Sequence, residues 1–224
     1  MGLSLRYNLY HDVTPDAVFG CYKRFFANGN TTVTSCGAQH LPRIDIHASE
    51  AGWVLVNLDA GWELCDSRAF QLYVSWQLDC PGFLIFVYDG DFWGYEFFGH
   101  GQALDWFLQD PDQADNWFPD RPCSGRADIL CEHLVALDRP RIERYLVQYP
   151  QFAESSPAID DSICVWEEET EKLDVPPNPE DEFTRFAECA VIDFLRAIGV
   201  GVDIKDHYVT PNAPLSRSFW LKQK

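Results

Sequence analysis

The chain has 224 residues, and its 35 acidic and 17 basic side chains give a formal net charge of −18 at pH 7. Such a charge repels nucleic acids and anionic membranes, which excludes both as partners, and it attracts basic proteins. Hydrophobic residues make up 46% of the chain and aromatic residues 15%, enough for a packed core and too many for a disordered acidic tail.

The sequence predicts a cytoplasmic protein. The N-terminus lacks the basic and apolar regions of a signal peptide, and no apolar run approaches the roughly 18 residues that span a bilayer. The eight cysteines are widely spaced and include no CxxC pair. This usage is typical of reduced, buried thiols in a reducing compartment.

The first part of the chain predicts alternating strands and helices. A helix is expected to begin at Thr14, which can cap it, with Pro15 in its first position and Asp16 in its first turn. A second helix is predicted over 67–78, where Asp66 can cap it and Cys80-Pro81-Gly82 ends it. Apolar alternation predicts strands over 5–11, 41–46 and 53–58.

A three-stranded antiparallel meander follows. Strands are predicted over 83–88, 92–98 and 102–108, with turns at Asp89-Gly90-Asp91 and Gly99-His100-Gly101. Aromatic side chains occupy both faces of the middle strand, which indicates a sheet covered on both sides or bearing a binding face.

The rest of the chain predicts mainly helices and loops. Residues 110–122 form an acidic, proline-containing loop, residues 150–179 a loop or linker, and the tail to Lys224 is irregular. Helices are predicted over 125–137, 140–149 and 181–198. We therefore expect an α+β fold in which residues 1–122 form a mostly antiparallel sheet with packed helices. A mainly helical C-terminal part, 123–224, packs on it within one structural unit.

Motifs of catalytic and metal sites are missing from the sequence. There is no GxSxG elbow, Walker loop or HExxH, and no histidine pairs with another His or Cys at zinc-ligand spacing. The sequence from Asp110 does not match a calcium-binding loop, because its fifth and twelfth positions are Ala114 and Arg121, where such a loop needs oxygen ligands. The sequence predicts no catalytic residue, no metal and no cofactor.

The strongest local signal is an acidic block. Between Asp160 and Asp193 the sequence has twelve carboxylates and only two basic residues, Lys172 and Arg185. Aromatic anchors beside a charged rim are typical of protein-binding surfaces, whereas a solvated linker would show the charge alone. The candidate partner-binding residues are Trp166, Glu167, Glu168, Glu169, Glu171, Asp110, Asp112 and Asp115.

One stretch carries a resemblance to known proteins. Residues 95–107, YEFFGHGQALDWF, resemble a strand, glycine turn and strand pattern of uncharacterised bacterial proteins, within a region of about 83–118. The chain is also similar to immunity proteins of bacterial toxin systems, which are small, acidic, Trp-rich, cytoplasmic α+β proteins. The resemblance implies a non-enzymatic module that neutralises a basic toxin by occlusion, and it implies no catalytic residue.

Two alternatives remain open at this point. One is a hydrolase with a dispersed site, which a pocket holding two or more of His100, His133, Cys123 and Asp105 would favour. The other is a regulatory adaptor in which the acidic segment is a flexible spacer, and early proteolysis within 165–180 would favour it.

Overall fold

In the computed structural model, the residues described are 5–27, 31–34, 43–49, 51–58, 67–88, 91–149, 176–184, 189–205, 208–212 and 214–223. The strands are β1 Leu5–His11, β2 Thr31–Thr34, β3 Arg43–Ala48, β4 Trp53–Leu58, β5 Gly82–Tyr88, β6 Phe92–Gly99, β7 Gln102–Leu108, β8 Val202–Lys205, β9 Tyr208–Pro211 and β10 Leu215–Gln223. The α-helices are α1 Pro15–Ala27, α2 Ser67–Leu78, α3 Ala114–Trp117, α4 Ala127–His133, α5 Arg139–Glu143 and α6 Ala190–Ala197, and a 3-10 turn spans Pro111–Gln113. None of the helices in these ranges has the length and hydropathy to cross a bilayer.

Eight of the strands form one antiparallel sheet in the order β2-β10-β3-β4-β1-β5-β6-β7. The α+β class and the mostly antiparallel sheet are therefore confirmed, as is the meander β5-β6-β7. The remaining two strands, β8 and β9, pair with each other as a separate hairpin.

Successive side chains of a strand point to opposite faces of the sheet, so that each strand has side chains to bury on both faces. Helices cover both faces of this sheet. On one face, α1 and α2 bury residues such as Tyr22 and Phe70 against Val54 and Val56 of β4. On the other, α4, α5 and α6 pack on a larger cluster that contains Trp53, Phe83 and Tyr95. This explains why the middle strand of the meander, β6, is buried along its whole length.

The C-terminal end of the chain differs from the sequence prediction. The prediction of an irregular tail is wrong, since β10 lies inside the main sheet, between β2 and β3. The signal is weak in the sequence because Arg217 and Trp220 interrupt the apolar alternation and a bulge shifts the register between Leu215 and Arg217. The main sheet thus takes seven strands from residues 1–122 and one, β10, from residues 123–224.

The last predicted helix is also shorter than expected. The sequence placed its start near Asp181, but α6 begins at Ala190, and residues 176–184 form turns. The turns are held by side chains, since Asp181 accepts a hydrogen bond from the backbone N–H of Asn178 at 2.9 Å. Acidic residues that suggested a helix N-terminus serve here as acceptors for backbone groups of a turn.

Candidate functional site

Three of the predicted partner-binding residues, Asp110, Asp112 and Asp115, lie where the chain leaves edge strand β7. Asp110 caps the 3-10 turn, because its carboxylate accepts a hydrogen bond from the backbone N–H of Asp112 at 3.0 Å. Its side chain is half-buried, whereas Asp112 and Asp115 are exposed. The turn therefore uses the Asp110 carboxylate for its own structure, whereas the side chains of Asp112 and Asp115 are exposed to solvent.

A group of aromatic side chains lies directly beside these carboxylates. Trp117, the last residue of α3, stacks on Phe86 with ring centroids 4.2 Å apart and planes only 8° from parallel. Its ring is edge-on to Tyr88 at 5.5 Å and to Phe92 at 6.2 Å. Tyr88 is 49% exposed and Trp117 is half-buried. The aromatic side chains are thus fixed against the sheet while part of their surface faces solvent.

The sequence around this end of the sheet is poor in basic residues. No lysine or arginine occurs between Arg68 and Arg121. Asp91, next to Phe92, is exposed, and its backbone N–H donates to the Tyr88 carbonyl at 2.8 Å, which closes the turn between β5 and β6. We call the set Tyr88, Asp91, Asp112, Asp115 and Trp117 the acidic aromatic surface.

The remaining predicted contacts, Trp166, Glu167, Glu168, Glu169 and Glu171, lie outside the described residues. Sequence reasoning missed Tyr88 and Trp117 as anchors. A usable signal was present, namely the long cation-free interval that contains both aromatic residues together with Asp91, Asp112 and Asp115.

Some carboxylates at the end of the acidic block hold the fold together. Asp193 of α6 accepts hydrogen bonds from the backbone N–H groups of Glu182 and Phe183, each at 2.8 Å, and pairs with Arg196 at 3.1 Å. Burial raises the pKa of the Asp193 carboxyl, although the two backbone N–H groups oppose this shift. Asp181 accepts from the Tyr145 hydroxyl at 2.6 Å. These two carboxylates are therefore occupied within the chain.

Two further carboxylates are buried in the meander. On one face of β6, Glu96 meets Arg68 at 2.7 Å and accepts from the indole N–H of Trp106 at 2.9 Å. On the other face, Asp105 accepts from the Tyr95 hydroxyl at 2.7 Å and from the backbone N–H of Arg126 at 2.8 Å. Burial raises the pKa of both carboxyls, and that of the Tyr95 hydroxyl lies well above its ordinary value for the same reason. Since the sheet separates the two carboxylates, they do not form an acid and base pair across one substrate.

Neither of the two cavities described here is lined by two of the four residues named for a hydrolase site, and Cys123 Sγ instead accepts a hydrogen bond from Gln148 Nε2 at 3.6 Å. His100 and His133 are neighbours, with ring centroids 5.9 Å apart, and His100 Nδ1 lies 2.5 Å from Asp79 Oδ1 on the surface. Asp105 instead lines a separate cavity of about 180 Å³, beside Ser124 and Arg126, which His100 and His133 do not line. Within the described ranges, no group of three or more His, Cys, Asp or Glu side chains is arranged to hold a metal ion.

A second cavity, of about 170 Å³, lies at the C-terminal end of β1 and is lined by His11, Trp53 and apolar side chains.

Comparison of the chain with protein-family models, curated proteins and solved structures found no match.

Proposed function

We propose that the chain is a non-enzymatic binding protein that captures a basic protein through the acidic aromatic surface. The observation that carries the proposal is the contact of Trp117 with Phe86 and Tyr88 beside the exposed carboxylates of Asp112 and Asp115. Aromatic residues that are already held in place lose little conformational freedom on binding, and such residues dominate the energy of protein interfaces.

The carboxylates contribute mainly to the rate and specificity of capture. A net charge of −18 attracts a basic partner over a distance comparable to the Debye length, about 8 Å at physiological salt. Exposed carboxylates at the rim of an interface then add more to the association rate than to the affinity. The mechanism predicts strong dependence on ionic strength.

We further propose that the partner is a toxin and that capture neutralises it by occlusion in the cytoplasm. The support is the resemblance to immunity proteins, together with the run Trp166-Glu167-Glu168-Glu169, which would add carboxylates and an anchor of the same kind. The described cysteines Cys21, Cys80, Cys123 and Cys131 are free thiols, which suits a reducing compartment.

The test is capture of host proteins by the immobilised chain, followed by measurement of the dissociation constant and association rate of the purified partner. The double variant D112N/D115N removes two charges from the acidic aromatic surface, and Tyr88→Ala removes its most exposed ring. The matched control D128N/D138N removes two exposed carboxylates from the α4–α5 region.

The proposal expects D112N/D115N to slow association several-fold at low salt, and Tyr88→Ala to speed dissociation by tenfold or more. The control should change association much less. An affinity that is the same in all three variants and at low and high salt would rule out the acidic aromatic surface as the binding site. A partner with neutral or acidic surface charge would overturn the proposed partner class.

A further inference from the structure

The cavity of about 170 Å³ lies away from the acidic aromatic surface and has a different chemistry. β1 and β5 are antiparallel, with Tyr10 opposite Gly82 and Leu5 opposite Val87. His11, at the end of β1, is therefore near the start of β5, whereas Tyr88 is at its far end. The cavity does not depend on the proposed function.

Its walls come from four separate elements. Trp53 at the start of β4 is almost completely buried, Leu134 and Leu137 follow α4, and Ala197 ends α6. The indole N–H of Trp53 donates to the backbone carbonyl of Ile198 at 2.8 Å, so the indole's only donor is already used. The cavity therefore presents an aromatic and aliphatic surface with one polar side chain, His11.

Contacts with Trp53 and Asp12 orient the imidazole ring of His11. Its ring lies against Trp53 with centroids 4.7 Å apart, and Nδ1 is 3.2 Å from the carboxylate of Asp12. A carboxylate beside Nδ1 fixes the proton of the neutral ring on that nitrogen, which leaves Nε2 as an acceptor. Within the described part of the chain, Nε2 has no hydrogen-bond partner.

We propose that the His11–Trp53 cavity binds a small neutral aromatic ring that carries one hydroxyl group, with His11 Nε2 accepting the hydrogen bond of that hydroxyl. The volume selects the size, because an apolar protein cavity of about 150 Å³ holds one benzene ring. His11 is the one polar side chain among the described lining residues, which favours a ligand with a single donor. The aromatic and aliphatic walls disfavour a charged ligand, which would lose its hydration without a paired charge.

Phenol and toluene are the probes, because they have nearly the same shape and differ in the hydroxyl. Ligand-detected NMR on the full chain gives the dissociation constant of each. The expected result is that phenol binds about tenfold more tightly than toluene, the effect of one hydrogen bond to a partly buried acceptor. Equal affinity for the two probes, or no binding of either at millimolar concentration, would overturn the proposal.

Two kinds of variant locate the site. His11→Phe keeps a ring against Trp53 but has no acceptor, so it should retain toluene binding and lose the preference for phenol. Ala197→Leu fills the cavity and should weaken both probes at least tenfold. Ala136→Leu, at another lining residue, should do the same and serves if the first variant is unstable. Ala69→Leu, an exposed position on α2, is the control and should change neither. Unchanged binding in both cavity-filling variants would place the probes elsewhere and refute the assignment.

Discussion

Arg68 and Glu96 form an ion pair of 2.7 Å in which the carboxylate side chain is 2% exposed and the guanidinium side chain is 44% exposed. The pair connects α2 to the centre of the meander, and the Trp106 indole N–H binds the same carboxylate oxygen at 2.9 Å. Burial raises the pKa of Glu96 more than Arg68 and Trp106 lower it. The folded state therefore holds a proton on Glu96 to higher pH than the unfolded chain does.

This relationship predicts the behaviour of Glu96→Gln. The stability contributed by protonated Glu96 is present below its unfolded pKa and is lost as pH rises through the raised folded pKa. Glutamine keeps an acceptor for Trp106 and does not ionise. The melting temperature of Glu96→Gln relative to the wild type should therefore be higher at pH 7 than at pH 4.

Glu96→Ala and Asp128→Asn complete the measurement. Alanine leaves the buried Trp106 N–H without an acceptor and should cost about 1–3 kcal/mol of unfolding free energy at both pH values. Asp128 is exposed, so its variant should follow the wild type. If Glu96→Gln instead loses stability relative to the wild type as pH rises, Arg68 outweighs burial and the inferred sign is wrong.

Tyr95→Phe tests the corresponding site on the other face of the sheet. The Tyr95 hydroxyl is one of the donors that hold the pKa of Asp105 below the value that burial alone would give. Its removal should raise that pKa further and cost about 1.5–3 kcal/mol when Asp105 is ionised. Because the protonated carboxyl needs the donor less, the loss should be larger at pH 7 than at pH 4. Urea denaturation at the two pH values measures it, and a loss independent of pH would contradict the role given to the hydroxyl.

The carboxylates after β7 should separate into structural and exposed ones. Asp110 caps the 3-10 turn, so Asp110→Ala should lower the unfolding free energy by about 0.5–2 kcal/mol. Asp112→Ala and Asp115→Ala should change it by less than about 0.5 kcal/mol, because both side chains are exposed. Chemical denaturation of the three variants checks this. Similar losses for all three would mean that Asp112 and Asp115 are also part of the turn's structure.

The sequence predicted those parts of the structure that depend on residues close together in the chain. The meander was predictable because its strands follow one another and are separated by turn residues such as Gly99 and Gly101. The loop predicted over 110–122 was only partly right, because it contains the 3-10 turn with Asp112 and the helix α3 with Asp115. The stacking of Trp117 on Phe86 was not, since the two residues are distant in sequence and meet only when α3 folds back over the sheet.

The acidic block shows that composition alone does not separate carboxylates with different roles. Its charge run predicted a partner-binding segment, yet Asp193 accepts from two backbone N–H groups of the preceding turn. A carboxylate that binds a partner and one that binds its own backbone have the same sequence signature. Only the position of the turn formed by residues 176–184 beside α6 distinguishes them.

The last prediction concerns β10, whose place in the sheet the sequence did not indicate. A chain that ends at residue 213 lacks this strand, and its removal leaves the backbone groups of β2 and β3 that face β10 without partners. It also removes Ser218, which donates to the Asp45 carboxylate at 2.5 Å and ties β10 to β3. Unpaired edges of this kind cause aggregation, so we expect the truncated chain to lose its cooperative thermal transition.

A synthetic peptide covering 214–224 should restore the transition by strand addition, and a peptide of the same composition in scrambled order is the control. A truncated chain that melts within a few degrees of the full chain, as an irregular tail would allow, would show that β10 is not part of the sheet.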